Sequence, residues 1–312
     1  MPTQTYRTTS ALAPVAPYLV IGALTALLAG ALGAQTAAPR GPTHYVRYAV
    51  GSSASYGILE GDRIRELKGD LFQNPRPTGR TRKLSEVKLL LPLDPARVSK
   101  VIGVAGNTTP PAPQPRPVVP HPVWFAKFAS GMVGDGSQIE SYPESSALTW
   151  ECELVLVIGK TARHVTVAEA PGYIFGVAIG NDVTELEWYT TKAGTKAPGA
   201  MIGKASDTWS GIGRSIVTGV DYSNLRMTVK QNGMLVADGR TSDLINGPAQ
   251  LIAEVSRYVT LLPGDLIYSG LARRLPGISG RMAPGDAIEM EIEEIGKLSQ
   301  TVVAAKVEPL RP

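Results

Sequence analysis

The chain has 312 residues, 43% of them hydrophobic, and a formal net charge of +4. That length and apolar content supply a sizeable core, enough for one large domain or two modest ones, and set the chain apart from disordered sequences. Lys and Arg are scattered rather than clustered, which argues against a nucleic-acid surface. One cysteine, Cys152, excludes an internal disulfide framework, and three histidines, His44, His121 and His164, argue against a His/Cys zinc site.

Taken in chain order, the first feature is a leader. No charged residue lies between Arg7 and Arg40, and Tyr18 to Leu32 is dominated by Leu, Ile, Val, Ala and Gly. This reads as a secretory h-region with Ala31, Gly33 and Ala34 as a cleavage site, so residues 1–38 are expected to be a signal peptide and the protein to be exported, periplasmic or secreted. An uncleaved membrane anchor is the alternative, because the run approaches spanning length, although Pro14 and Pro17 cut it short. A wrongly assigned start codon is a third reading.

After Pro42 the pattern turns to short strands, His44 to Val50, Ser55 to Leu59 and Arg63 to Glu66, punctuated by Gly51, Gly57 and Gly61. They predict a small N-terminal β module over residues 42–98. A polar, proline-bearing loop is expected around Asn74 to Arg82. A core over residues 99–308 then opens with the buried-strand run Val101 to Ala105. Thr108 to Pro122 carries seven prolines and so few backbone donors that it should be an exposed, extended loop or lid. Val123 to Phe128 and Tyr173 to Ile179 read as strands, the second ending at Asp182, with a short helix starting near Val167. Asn232-Gly233 has the chemistry of a type I′ hairpin turn. Pro248 to Tyr258 is the clearest helix, Leu266 to Gly270 a strand, and Ile288, Met290 and Ile292 alternate with solvated glutamates. The whole is a mixed, β-rich α+β chain with few helices.

The stretch Trp150 to Gly159 organises the rest. Side chains alternate along a strand, so Glu151 and Glu153 share a face with Val155 and Val157, while Cys152, Leu154, Leu156 and Ile158 face the other way. Two carboxylates on one apolar face need a cation, and oxygen ligands suit a hard divalent ion: Mg²⁺ or Mn²⁺, with Ca²⁺ also compatible. A solvated strand end is the competing reading of the E-x-E pattern. Asp182 is either a third ligand or a turn aspartate facing water. Lys204, in Gly203-Lys204-Ala205-Ser206-Asp207-Thr208, reads by itself as a solvated loop lysine.

Together these segments resemble the motif series of the fumarylacetoacetate hydrolase family. The series comprises Val101 to Asn107, Phe125-Ala126-Lys127, Glu151 to Lys160, Gly180 to Thr184, Gly203-Lys204 with Asp207-Thr208, Asn232-Gly233, Leu261 to Ile267 and Gly285-Asp286. The resemblance runs from about Tyr45 to Val303. It implies a mixed β-roll, a homodimer, and a Mg²⁺ or Mn²⁺ site held by Glu151, Glu153 and Asp182. It implies chemistry on a small 2-oxo or 2,4-dioxo acid: carbon–carbon hydrolysis, decarboxylation, isomerisation or hydration through a metal-stabilised enolate. Lys204 takes the catalytic position beside the substrate carbonyl. Lys127, Ser269 and Gly270 fall at substrate-binding positions.

The chain also departs from that pattern. The His and Glu that many members carry in a lid fall near Pro111 and Gln114, with His121 as a weak stand-in. An Arg and a Gln expected after the metal Asp read Leu186 and Tyr189, and the Thr-Gly-Thr-Pro turn reads Ser269-Gly270-Leu271-Ala272. Losing the lid pair shifts the expected reaction away from hydrolysis. A non-catalytic relative that binds a small carboxylate is the alternative reading, and a membrane is a partner only if the leader is retained.

Overall fold

The computed structural model describes residues 41–111, 113–190 and 198–308, so the leader over residues 1–38 lies outside the described residues. Period-two alternation along Cys152–Ile158 has the consequence expected of it. Cys152, Leu154, Leu156 and Ile158 enter one core with Trp150 and Trp209, and Val155 and Val157 enter a second with Ile212, Ile216 and Leu266. Burying each such side chain contributes about 1.5–3 kcal/mol, so a strand with both faces covered is the stiffest available platform for side chains at its end.

That strand sits inside a mixed sheet whose order is Arg76–Lys83, Arg63–Lys68, Ser53–Glu60, Thr43–Val50, Ser215–Thr218, Ile174–Asp182, Cys152–Ile158, Leu266–Leu271, Val101–Ala105 and Val123–Lys127. Most neighbours are antiparallel, but Leu266–Leu271 runs parallel to Val101–Ala105. A second, five-stranded sheet contains Met234–Arg240, Arg226–Gln231, Ala287–Ile292, Gly296–Ala304 and Gln138–Ser141. Among the described residues the α-helices are Leu186–Thr190, Ala200–Ala205 and Pro248–Ser256. This is the β-rich α+β class expected.

The hairpin at Asn232-Gly233 forms with φ of 53° and 80°, the left-handed pair a type I′ turn requires. In Ala287–Ile292, Ile288, Met290 and Ile292 are buried while Glu289 and Glu291 are exposed. Two local expectations change. The polar segment near Asn74 is an edge strand, Arg76–Lys83, paired with Arg63–Lys68. It has no apolar alternation because neither of its faces is well covered, and backbone pairing alone makes it a strand. The short helix expected from Val167 is a 3₁₀ turn at Ala170–Tyr173, closed early by Pro171 and Gly172.

Register, rather than proximity in sequence, builds the site. Cys152 pairs with Asn181 and Glu153 with Gly180, and the Asp182 N–H donates to the Glu151 carbonyl at 2.9 Å. On the far side of Cys152–Ile158, Glu153 pairs with Leu271, across a bulge between Glu153 and Val155. Both neighbours of the central strand therefore deliver their C-terminal or loop residues to the level of Glu151 and Glu153.

Candidate active site

One carboxylate oxygen each from Glu151, Glu153 and Asp182 lies within 4.8 Å of the others. Glu153 and Asp182 are buried and Glu151 is half-buried. Two lysines reach into this acidic cluster. The Lys204 ammonium stands 2.9 Å from Glu151 Oε2 and 2.8 Å from Asp182 Oδ2. Lys127 approaches Asp182 Oδ1 to 2.6 Å, an ion pair not aligned as a hydrogen bond, and donates to the Lys204 carbonyl at 2.5 Å. Lys204 is buried near the end of the helix Ala200–Ala205. The solvated-loop reading of its sequence neighbourhood is thus replaced by that of a buried charge held between two carboxylates.

Burial lowers the basicity of Lys127, with the Asp182 charge opposing the shift. Burial alone would also weaken the Lys204 ammonium, but Asp182 and Glu151 outweigh it, so Lys204 remains a firm cation. Burial likewise raises the Asp182 carboxyl, yet the two ammonium groups prevail and hold it below the usual carboxylate range. For Glu153, burial first and then the Asp182 and Glu151 charges push the carboxyl well above its ordinary value. Glu153 Oε2 accepts the Gly270 N–H at 2.8 Å, but no lysine or arginine pairs with Glu153 among the described residues. Three acidic groups facing two ammonium groups, one carboxyl lacking a cation, and an all-oxygen donor set fit a hard divalent ion.

A cavity of about 410 Å³ opens onto the cluster, lined among others by Glu151, Glu153, Lys204, Leu186, Tyr189 and Pro111. Tyr189 is its aromatic wall, backed by Phe125, whose ring meets that of Tyr189 edge-on at 5.9 Å and has its centre 4.4 Å from the Lys204 ammonium. Burial raises the Tyr189 phenol, so it stays a neutral donor. Asn107 braces the mouth: its amide donates to the Ser269 carbonyl at 2.7 Å and to the Asn246 carbonyl at 2.9 Å.

The structure brings Glu151, Glu153, Asp182, Lys204, Lys127 and the Gly270 amide together, and leaves others out. Ser269 turns its hydroxyl to the Leu154 carbonyl at 2.7 Å and does not line the cavity. Lys127 lies behind Asp182 rather than on the cavity wall. His121 is exposed and pairs at 2.9 Å with Glu254 on the helix Pro248–Ser256, so it is no substitute base. Arg273 and Arg274, which sequence reasoning passed over, both line the cavity. Their signal was an Arg-Arg pair directly after a buried strand.

Gly270 carries a sharp expectation. Its φ is +130°, and an added Cβ would come 2.7 Å from the Leu244 side chain and 3.3 Å from Asn107. Gly270→Ala should therefore cost roughly 1–3 kcal/mol of stability, from a strained backbone and the shifted amide under Glu153. Thermal unfolding checks it, and an unchanged melting temperature would remove the glycine from this account.

A β-rich fold that gathers three acidic groups and two lysines beside a small cavity has the make-up of an enzyme site. Residues 100–303 match the family model described as fumarylacetoacetate (FAA) hydrolase C-terminal, and residues 43–92 match the model described as Rv2993c-like, N-terminal. The chain belongs to the fumarylacetoacetate hydrolase family. The human protein named oxaloacetate tautomerase FAHD2A, mitochondrial, is 33% identical over 229 residues, 70% of this chain and 70% of that protein. A solved structure named 2-hydroxyhepta-2,4-diene-1,7-dioate isomerase from Mycobacterium marinum is 31% identical with a TM-score of 0.73, covering 85% of this chain and all of that one. Another, named 5-carboxymethyl-2-hydroxymuconate delta-isomerase from Mycobacterium smegmatis, is 31% identical with a TM-score of 0.72, covering 84% and 100%. These relatives carry enzyme names, and none of the three is named as a non-catalytic binder.

The expectation of export is corrected by the same comparison, since the human and bovine relatives are named as mitochondrial proteins. A lack of acidic residues is common to secretory and organelle-targeting segments, so that feature of residues 1–38 did not discriminate between destinations. Among the described residues no helix is long and apolar enough to cross a membrane.

Proposed function

We propose that this protein is a divalent-metal-dependent enzyme that interconverts the enol and keto forms of a 2-oxo acid. The observation that carries the reading is the convergence of Glu151, Glu153 and Asp182 within 4.8 Å, with the Lys204 ammonium against two of them at the cavity wall. Those three carboxylates would hold Mg²⁺ or Mn²⁺, and the ion, when bound, supplies a Lewis acid for the carboxylate and 2-oxo oxygens of the substrate. Lys204 then serves as the catalytic residue: its fixed cation stabilises negative charge growing on the 2-oxo oxygen as the C3 proton passes to solvent water, which then protonates that oxygen to give the enol. Lys127 holds Asp182 in place from behind, the Gly270 amide orients Glu153, and Tyr189 supplies an aromatic wall.

Tautomerisation is favoured over carbon–carbon hydrolysis by what lines the cavity. Its described titratable residues are Glu151, Glu153, Tyr189, Lys204, Arg273 and Arg274, with no histidine among them. Carbon–carbon hydrolysis needs a base placed to activate water for attack on a carbonyl, whereas enol–keto exchange moves one proton between C3 and the 2-oxo oxygen, which solvent water can take up and return once the oxyanion is stabilised. The names of the human tautomerase and the two mycobacterial isomerases point the same way. Residues 99–308 are proposed as the catalytic part and 42–98 as the smaller N-terminal module, the whole acting as a homodimer.

The test follows oxaloacetate enol decay with metal-stripped protein, then with Mn²⁺ or Mg²⁺ restored. Acceleration that vanishes on chelation and returns with the ion is the expected result. Equal rates with and without protein at every metal concentration would reject the reading.

A further inference from the structure

Arg274 is a half-buried charge with no ion-pair partner among the described residues. It lines the cavity, yet among the described residues no carboxylate pairs with it, whereas Arg273 beside it reaches Asp243 at 2.5 Å and Lys204 reaches Glu151 and Asp182. Its guanidinium is held on three sides. Nη2 donates to the Trp150 carbonyl at 3.0 Å, the group lies 5.1 Å from the centre of the fully buried Trp150 ring, and it presses on Gly280. A Cβ at Gly280 would stand 2.5 Å from Nε, and the φ of +74° there is a glycine conformation, so the chain has made room for this side chain. Nε is buried and has no hydrogen-bond partner. The loop that carries it is fastened to Met234–Arg240 by the Asp238 N–H on the Arg273 carbonyl and the Leu275 N–H on the Val236 carbonyl.

A guanidinium does not escape burial by losing its proton, and an unpaired buried donor costs about 1–3 kcal/mol. Such a group, fixed in place at a cavity wall, is completed by an anion that enters the cavity. The head of a 2-oxo acid is already provided for at the carboxylate cluster and Lys204. A second cation calls for a second carboxylate.

We infer that Arg274 binds the distal carboxylate of the substrate, which makes the substrate a dicarboxylic 2-oxo acid. The inference rests on the 2-oxo acid reading above and narrows it. Arg is suited to the task because its planar fork meets a carboxylate through two parallel N–H bonds.

The test compares oxaloacetate with 2-oxobutyrate, in which a methyl group replaces the distal carboxylate. Binding to the Mn²⁺-loaded protein is measured by ligand-induced shift of thermal unfolding, for the native chain, R274Q and R274K. The native protein should prefer oxaloacetate at least tenfold. R274Q should lose most of that preference and R274K should keep part of it, with the loss falling on the diacid rather than on both ligands. Circular dichroism of each variant shows that it is folded, and R274K, which keeps the charge and most of the stem, covers the case in which R274Q is not. An R274Q or R274K protein that retains the full preference overturns the role of Arg274 while leaving the 2-oxo acid reading in place. A native protein that binds neither ligand with Mn²⁺ present overturns both.

Discussion

Lys204→Met should lower kcat/KM for a 2-oxo acid by roughly 10²–10³-fold, the loss typical of removing one preorganised donor to a developing oxyanion. The ammonium stands 2.9 Å from Glu151 and 2.8 Å from Asp182, and Phe125 packs 4.4 Å from it, so its position is set before any substrate enters. Such a group has no reorganisation to complete during the reaction. The loss should appear in kcat, because the carboxylate cluster and the rest of the cavity still receive the acid. Lys204→Arg keeps the charge but not the point geometry, and should recover only part of the rate. Steady-state kinetics on the folded fraction checks both, and a Lys204→Met protein with native kcat would end the catalytic assignment.

The second large effect separates two members of the acidic cluster. Asp182→Asn removes the partner of two buried ammonium groups, Lys127 at 2.6 Å and Lys204 at 2.8 Å. Breaking one side of a buried ion pair costs about 3–5 kcal/mol, so the melting temperature should fall by several degrees. Glu153→Gln should behave in the opposite way. Among the described residues Glu153 has no ammonium partner, and burial with two neighbouring carboxylates already favours its protonated form, which the amide imitates in shape. The metal-free variant should be as stable as the native protein or more so. Both substitutions should abolish stabilisation by Mn²⁺, which for the native protein amounts to about 2.7 kcal/mol at a metal concentration of 100 Kd. Thermal unfolding with and without Mn²⁺ reads all four quantities. Equal destabilisation by the two variants would contradict the division of charge described here, and undiminished Mn²⁺ stabilisation in both would remove these residues as ligands.

Much of this site is legible before any coordinates are seen, and the reason is local periodicity. A strand of period two places Glu151 and Glu153 on one face whatever surrounds it, Asn232-Gly233 forms its turn from φ preferences of its own, and Pro248 opens a helix because its missing N–H is not needed there. The ordered motifs from Val101 to Asp286 carried the family. The destination read from residues 1–38 was wrong for the opposite reason: charge and hydropathy along that stretch do not specify a compartment.

Tertiary structure alone decided which side chains meet. Asp182 reaches Glu151 because Cys152 pairs with Asn181, a register that pattern along either strand leaves open. Ser269 and Gly270 are adjacent, yet one gives its hydroxyl to the Leu154 carbonyl and the other its amide to Glu153. Lys204 passed for a surface lysine by its neighbours and is buried because two distant carboxylates draw it in, and Arg274 enters the cavity because Gly280, six residues on, has no side chain to block it. Electrostatic and steric complementarity between segments far apart in sequence is a property of the folded packing, and no stretch of the chain encodes it by itself.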